Sequence, residues 1–99
     1  MTDDIAHESV SVERLLSCLS LMETEEELRA FLCDLLTPRE LDDLAQRLEV
    51  AYLLERGKSY TSVSRQTGAS STTVSRVSKC LNGAAGGYRL ALTRLTSKG

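Results

Sequence analysis

Through the first half of the chain, apolar residues recur at intervals of three and four, the spacing that lines one face of a helix. Val12, Leu15, Leu16, Leu19 and Met22 make a first stripe. Leu28, Phe31, Leu32, Leu35 and Leu36 make a second. Thr24 is placed to cap that helix, and Glu25, Glu26 and Glu27 suit its positive N-terminal end. Thr37-Pro38-Arg39-Glu40 predicts another start: the threonine caps, the proline is preorganised for the first helical position, and Glu40 completes a capping box. The long helix it opens carries Leu41, Leu44, Ala45, Leu48, Ala51, Tyr52 and Leu54, and Arg56-Gly57 stops it. A last short stripe runs from Tyr88 through Leu90, Leu92 and Leu95, after the hinge-like run Asn82-Gly83-Ala84-Ala85-Gly86-Gly87. Strand-like alternation is almost absent, so the expected fold is all-α, with about six helices.

Between Ser59 and Asn82 the pattern changes to two short helices joined at a glycine. Val63 and Thr67 share a face of the first. Gly68 falls where the chain must turn between helices crossing at roughly 90–120°, and glycine takes the left-handed conformation there without a Cβ penalty. Ala69 is small enough to lie under the turn, and Ser70 is placed to cap the second helix. Val74, Val77 and Leu81 then form a narrow apolar stripe. That stripe leaves Ser71, Thr72, Ser75, Arg76 and Lys79 on the outer face, joined by Thr61 and Arg65 from the first helix. This is a helix-turn-helix pattern whose outer residues are suited to phosphates and base edges.

The charge distribution strengthens that reading, although the chain as a whole carries a net charge of -2. Residues 1–37 hold nine acids against Arg14 and Arg29, a net of -7, whereas residues 56–99 hold eight cations and no acid, a net of +8. Clustering of cations on one part of a small chain points to a polyanionic partner. A membrane surface fits less well, because the basic half has many Ser and Thr, no Trp or Phe, and no long apolar face. No apolar run reaches about 18 residues, and the first residues are acidic where a signal peptide would be basic then apolar, so a cytoplasmic protein is expected.

The inventory supports neither a metal nor a catalytic site. Cys18, Cys33 and Cys80 are widely spaced and odd in number, which suits neither a disulfide framework nor a zinc site. Cys18 and Cys33 read as buried free thiols. The one histidine, His7, lies in the N-terminal tail, where it is expected to be solvated, and Cys80 has no base near it in sequence, so no enzyme and no cofactor are expected. The leucine-rich helices before residue 37 present more apolar face than so small a chain can cover alone, which predicts a homodimer.

Leu35-Leu36-Thr37-Pro38-Arg39-Glu40, Arg47, Leu53-Leu54-Glu55-Arg56-Gly57, Thr73-Val74-Ser75-Arg76 and Ser78-Lys79-Cys80-Leu81 together resemble the Trp repressor family, and within it more closely the YerC/YecD type. The resemblance spans roughly residues 30–95. It implies a Trp repressor-like helix-turn-helix domain in an intertwined homodimer that reads double-stranded DNA, and the Trp repressor is itself one of the standard examples of this docking geometry. Carried over residue by residue, it implies a small-molecule effector pocket at Thr37, Arg47, Arg76 and Cys80. The family has a serine, contacting the ligand's amino group, where Cys80 stands here, and its turn region between the positions of Gly57 and Gly68 is one residue longer. These departures predict a poor tryptophan site, since a thiol is a weak hydrogen-bonding partner for an ammonium.

The expected organisation is a single domain: a mobile tail over 1–10, dimerisation helices over 11–57, the helix-turn-helix over 59–82 and a C-terminal helix over 87–97. The expected function is a sequence-specific DNA-binding transcriptional regulator, a repressor acting as a homodimer. The competing function is a helix-turn-helix fold used for protein contact without DNA, against which stands the lack of aromatic anchors on the second helix.

Overall fold

A computed structural model describes residues 9–98, with side chains through Ser97. The expected tail, His7 included, therefore lies outside the described residues except for Ser9 and Val10. Six α-helices account for most of the described chain, which divides into two compact units meeting at Pro38 and Arg39.

The first unit holds α1 (Val10–Leu21) and α2 (Glu25–Leu35). Ser9 caps α1, its hydroxyl oxygen accepting from the Val12 N–H at 3.3 Å. At α2 the Thr24 oxygen accepts from the Glu27 N–H at 3.1 Å, while the Glu27 carboxylate accepts from the Glu23 N–H at 2.8 Å. Two orphan donors are thus satisfied reciprocally, and the three glutamates of the first turn complement the helix dipole. No residue of either helix is buried: Leu16 is 52% exposed and Leu21 70%. The expectation that Cys18 and Cys33 are buried thiols does not hold within the chain, where Cys18 is half-buried and Cys33 exposed. Helical periodicity shows which side of a helix is apolar, not whether anything in the same chain covers it.

The second unit holds α3 (Pro38–Glu55), α4 (Tyr60–Thr67), α5 (Ser71–Leu81) and α6 (Gly87–Lys98). Its core is Val50, Ala51 and Leu53 of α3, Val63 of α4, Ala69 of the turn, Val74 and Val77 of α5, and Leu92 of α6, with Tyr52, Leu54 and Tyr88 packed against it. Only the C-terminal half of α3 is covered by its own chain; Leu44 and Leu48, on the stripe expected to be apolar, remain exposed. Val50 and Leu53, outside that stripe, are buried instead. The helix ends in a Schellman motif, with the Lys58 N–H bonded to the Leu53 carbonyl and the Gly57 N–H to that of Leu54. Gly57 has φ of 86°, the left-handed geometry this motif requires.

No described helix is long and apolar enough to cross a membrane. Among the described residues no group of three or more His, Cys, Asp or Glu side chains could hold a metal ion.

Candidate nucleic-acid interface

The turn between α4 and α5 is built from short-range hydrogen bonds around a buried alanine. Ser59 caps α4, accepting from the Ser62 N–H at 3.1 Å. Gly68 closes α4 with φ of 77°, its N–H donating to the Ser64 carbonyl. The Thr67 hydroxyl donates to the Val63 carbonyl at 2.8 Å and accepts from the Ala69 N–H at 3.1 Å, while the Ser64 hydroxyl donates to the Ala69 carbonyl at 2.6 Å. Both backbone groups of Ala69, only 3% exposed, are thereby satisfied where water cannot reach freely. From α3, Gln46 donates to the Thr67 carbonyl at 3.2 Å and ties the long helix to the turn. Ser70 then caps α5, accepting from the Thr73 N–H at 3.1 Å.

This frame sets the orientation of α5 about its own axis. Val74, Val77 and Leu81 are buried at 0%, 3% and 6% exposure, so the other side of the helix must face outward. Ser71, Thr72, Ser75, Arg76 and Lys79 are all exposed, as are Thr61 and Arg65 on α4. Arg65 sits with Thr61 and Ser71 along one shallow groove of about 380 Å³. Arg76 and Lys79 line a second, of about 530 Å³, with Thr72, Ser75, Tyr60 and Ser78. No acidic side chain lines either groove, so the local field in both is that of unopposed cations.

A third concavity, of about 260 Å³, lies on the inner side of Arg76. Arg47 of α3, Thr73, Arg76, Val77 and Cys80 of α5, and Tyr88 of α6 line it. Three of the four residues expected to form an effector pocket therefore converge. Thr37, the fourth, lies in the first unit and is not among the lining residues. Arg29 and Glu25, one turn apart on α2, form an ion pair at 3.0 Å. Cys80 is an exposed thiol.

Sequence reasoning missed Tyr60, Ser78 and Asn82 at the outer groove and Tyr88 at the inner cavity. The available signal for Tyr60 and Tyr88 was an isolated aromatic at the start of a helix in a basic segment poor in aromatics. Ser78 had no such signal, because its place depends on how α4 lies against α5.

The profile of the family described as Trp repressor protein matches residues 10–96, nearly the whole described chain. The chain belongs to the Trp repressor family. It is 48% identical over 79 residues to the uncharacterised protein YerC of Bacillus subtilis, a match covering 80% of this chain and 75% of that protein. Two crystal structures share the fold of this Trp repressor family member. A TrpR-like protein from Eubacterium eligens superposes with a TM-score of 0.82 at 35% identity, over 89% of this chain and 91% of the other. A provisionally assigned Trp repressor from Staphylococcus aureus superposes with a TM-score of 0.88 at 29% identity, over 97% and 96%. The all-α, Trp repressor-like fold expected from the helical periodicities and the resemblance is thus established, and the family is one of regulators rather than enzymes.

Proposed function

We propose that this protein is a sequence-specific DNA-binding transcriptional regulator, a repressor, which acts in the cytoplasm as a homodimer through α4 and α5. The observation that carries the reading is the split of α5. Its valines are sealed into the core, while Ser71, Thr72, Ser75, Arg76 and Lys79 stand exposed in the half of the chain that contains no acid. Short polar and cationic side chains on a capped, rigidly mounted helix are what groove readout needs: cations for phosphate, hydroxyls and guanidinium for phosphate and base edges. Thr61 and Arg65 flank that helix at the phosphate backbone.

Dimerisation supplies the rest of the reading. The exposed leucines of α1 and α2, with Leu44 and Leu48 of α3, form apolar surface that the chain does not itself cover, and a second copy carries the same surface to pair with it. The helices over 11–57 serve as the dimerising part of a single domain, with the helix-turn-helix over 59–82 and the C-terminal helix over 87–97 completing it. The cavity lined by Arg47, Arg76 and Cys80 is the effector site of this regulator.

Selection of binding sites from random duplexes tests the reading. A two-fold dimer should recover an inverted repeat with half-sites about one helical turn, roughly 10 base pairs, apart. Retention on heparin or duplex DNA at about 50 mM salt should fall steeply as salt rises. A dimer that no duplex retains would make the helix-turn-helix a protein-contact module and overturn the assignment.

A further inference from the structure

Tyr60 and Ser78 are joined by a hydrogen bond of 2.6 Å between their side-chain oxygens, across the two helices of the motif. Tyr60 opens α4 and is half exposed, whereas Ser78 lies half-buried in the C-terminal half of α5. The tyrosine O–H donates and the serine oxygen accepts. That leaves the serine proton uncommitted. Among the described residues the Ser78 hydroxyl has no second partner; its backbone carbonyl is engaged separately, by the Asn82 side-chain amide at 2.9 Å. The two residues line the outer groove beside Arg76 and Lys79.

We propose that Ser78 is a DNA phosphate contact and that Tyr60 is the positioning residue that aims and polarises its hydroxyl. The inference rests on the DNA-binding reading above. The groove carries two cations and no acid among its lining residues, so an anion is the complementary partner. It is open and shares Arg76 and Lys79 with the exposed face of α5, which suits the backbone of a long duplex. A phenol whose proton is already donated can offer a phosphate only lone pairs, so Tyr60 makes no direct phosphate contact. A hydroxyl that accepts a hydrogen bond becomes a better donor, because neighbouring bonds polarise one another.

The test measures affinity for a duplex selected by the wild-type protein, across several salt concentrations, for Ser78→Ala, Tyr60→Phe and the double variant. Circular dichroism is used to confirm that each variant keeps the wild-type helicity and melting. Ser78→Ala should weaken binding about tenfold per subunit, the lower range for a hydrogen bond to a charged group, and so roughly a hundredfold for the dimer, equally on selected and unrelated duplexes. Tyr60→Phe should lose about threefold to fivefold, and the double variant should bind no more weakly than Ser78→Ala alone. None of these changes should alter the dependence of log affinity on log salt, since no cation is removed, whereas Lys79→Ala, which removes one cation from each subunit of the dimer, should reduce that slope by about two. Ser78→Thr, which keeps the hydroxyl, should restore binding. Wild-type affinity in Ser78→Ala, or losses that multiply in the double variant, would overturn the coupled contact while leaving DNA binding intact. A wild-type protein that binds no duplex would instead overturn the functional reading on which the contact depends.

Discussion

Arg47 in the long helix and Arg76 in α5 line one cavity of about 260 Å³, brought together although α4 lies between their helices in the chain. No acidic residue lines that cavity. Two guanidinium groups suit a carboxylate, and the remaining polar lining, two hydroxyls and a thiol, offers no anion to receive an ammonium.

Free L-tryptophan should for that reason be a weak effector. Without a charge-assisted hydrogen bond at Cys80, binding should lose about 1.5–3 kcal/mol, roughly tenfold to hundredfold in affinity. Calorimetry of the protein with tryptophan, alongside DNA binding with and without it, measures this. Cys80→Ser is the single change expected to strengthen the response. Micromolar tryptophan binding by the unaltered protein, with tightened DNA affinity, would contradict the prediction.

Arg76→Ala and Lys79→Ala should both weaken DNA binding, but in different ways. Arg76 can reach a guanine by a bidentate pair, so its loss should cost about 1–3 kcal/mol and relax specificity at one position of the site. Lys79, one turn on, is assigned to phosphate on the proposed reading, and its loss should weaken all duplexes alike. Equal discrimination between selected and unrelated duplexes in both variants would remove the distinction.

Leu16→Glu should disrupt the dimer. Leu16 is already 52% exposed within one chain, so in a protein that functions as a monomer the change should cost no more than about 0.5 kcal/mol. Buried against a second copy, the leucine would contribute roughly 1.5–3 kcal/mol, and a carboxylate in its place would be further penalised. Light scattering should show the dimer lost, and the melting temperature of the unaltered protein should rise with its concentration. A stable wild-type monomer at micromolar concentration would refute the dimer.

The turn can be tested without touching the outer face. An added Cβ at Gly68 would meet nothing within 4 Å, yet the residue has φ of 77°. Gly68→Ala should therefore cost only the left-handed backbone strain, about 1–2 kcal/mol, and leave the packing intact. Ser70→Ala removes the acceptor for the Thr73 N–H and should cost about 1 kcal/mol. Denaturant unfolding gives both values; a loss above about 4 kcal/mol in Gly68→Ala would mean that the turn is under steric pressure as well.

Much of the helix-turn-helix was legible because its determinants are local. Thr24 and Ser70 cap helices through amides three residues away, and Gly57 and Gly68 end them within one turn. Such bonds need no knowledge of the rest of the fold. The stripe of Val74, Val77 and Leu81 likewise named its own buried side, and so the opposite, exposed one. The same logic misled at Cys18 and Cys33, which were expected to be buried and are not buried within the chain.

The sequence by itself determined the helices, their ends, the outward set of α5 and the separation of charge between the two halves, since each follows from spacings of a few residues or from composition. Only the tertiary structure decided which distant residues meet: Tyr60 with Ser78, Gln46 with the Thr67 carbonyl, and Arg47 with Arg76 and Tyr88. Those meetings depend on how α3, α4, α5 and α6 pack around a small valine-rich core, which is the sum of many side-chain contacts and is carried by no single spacing along the chain.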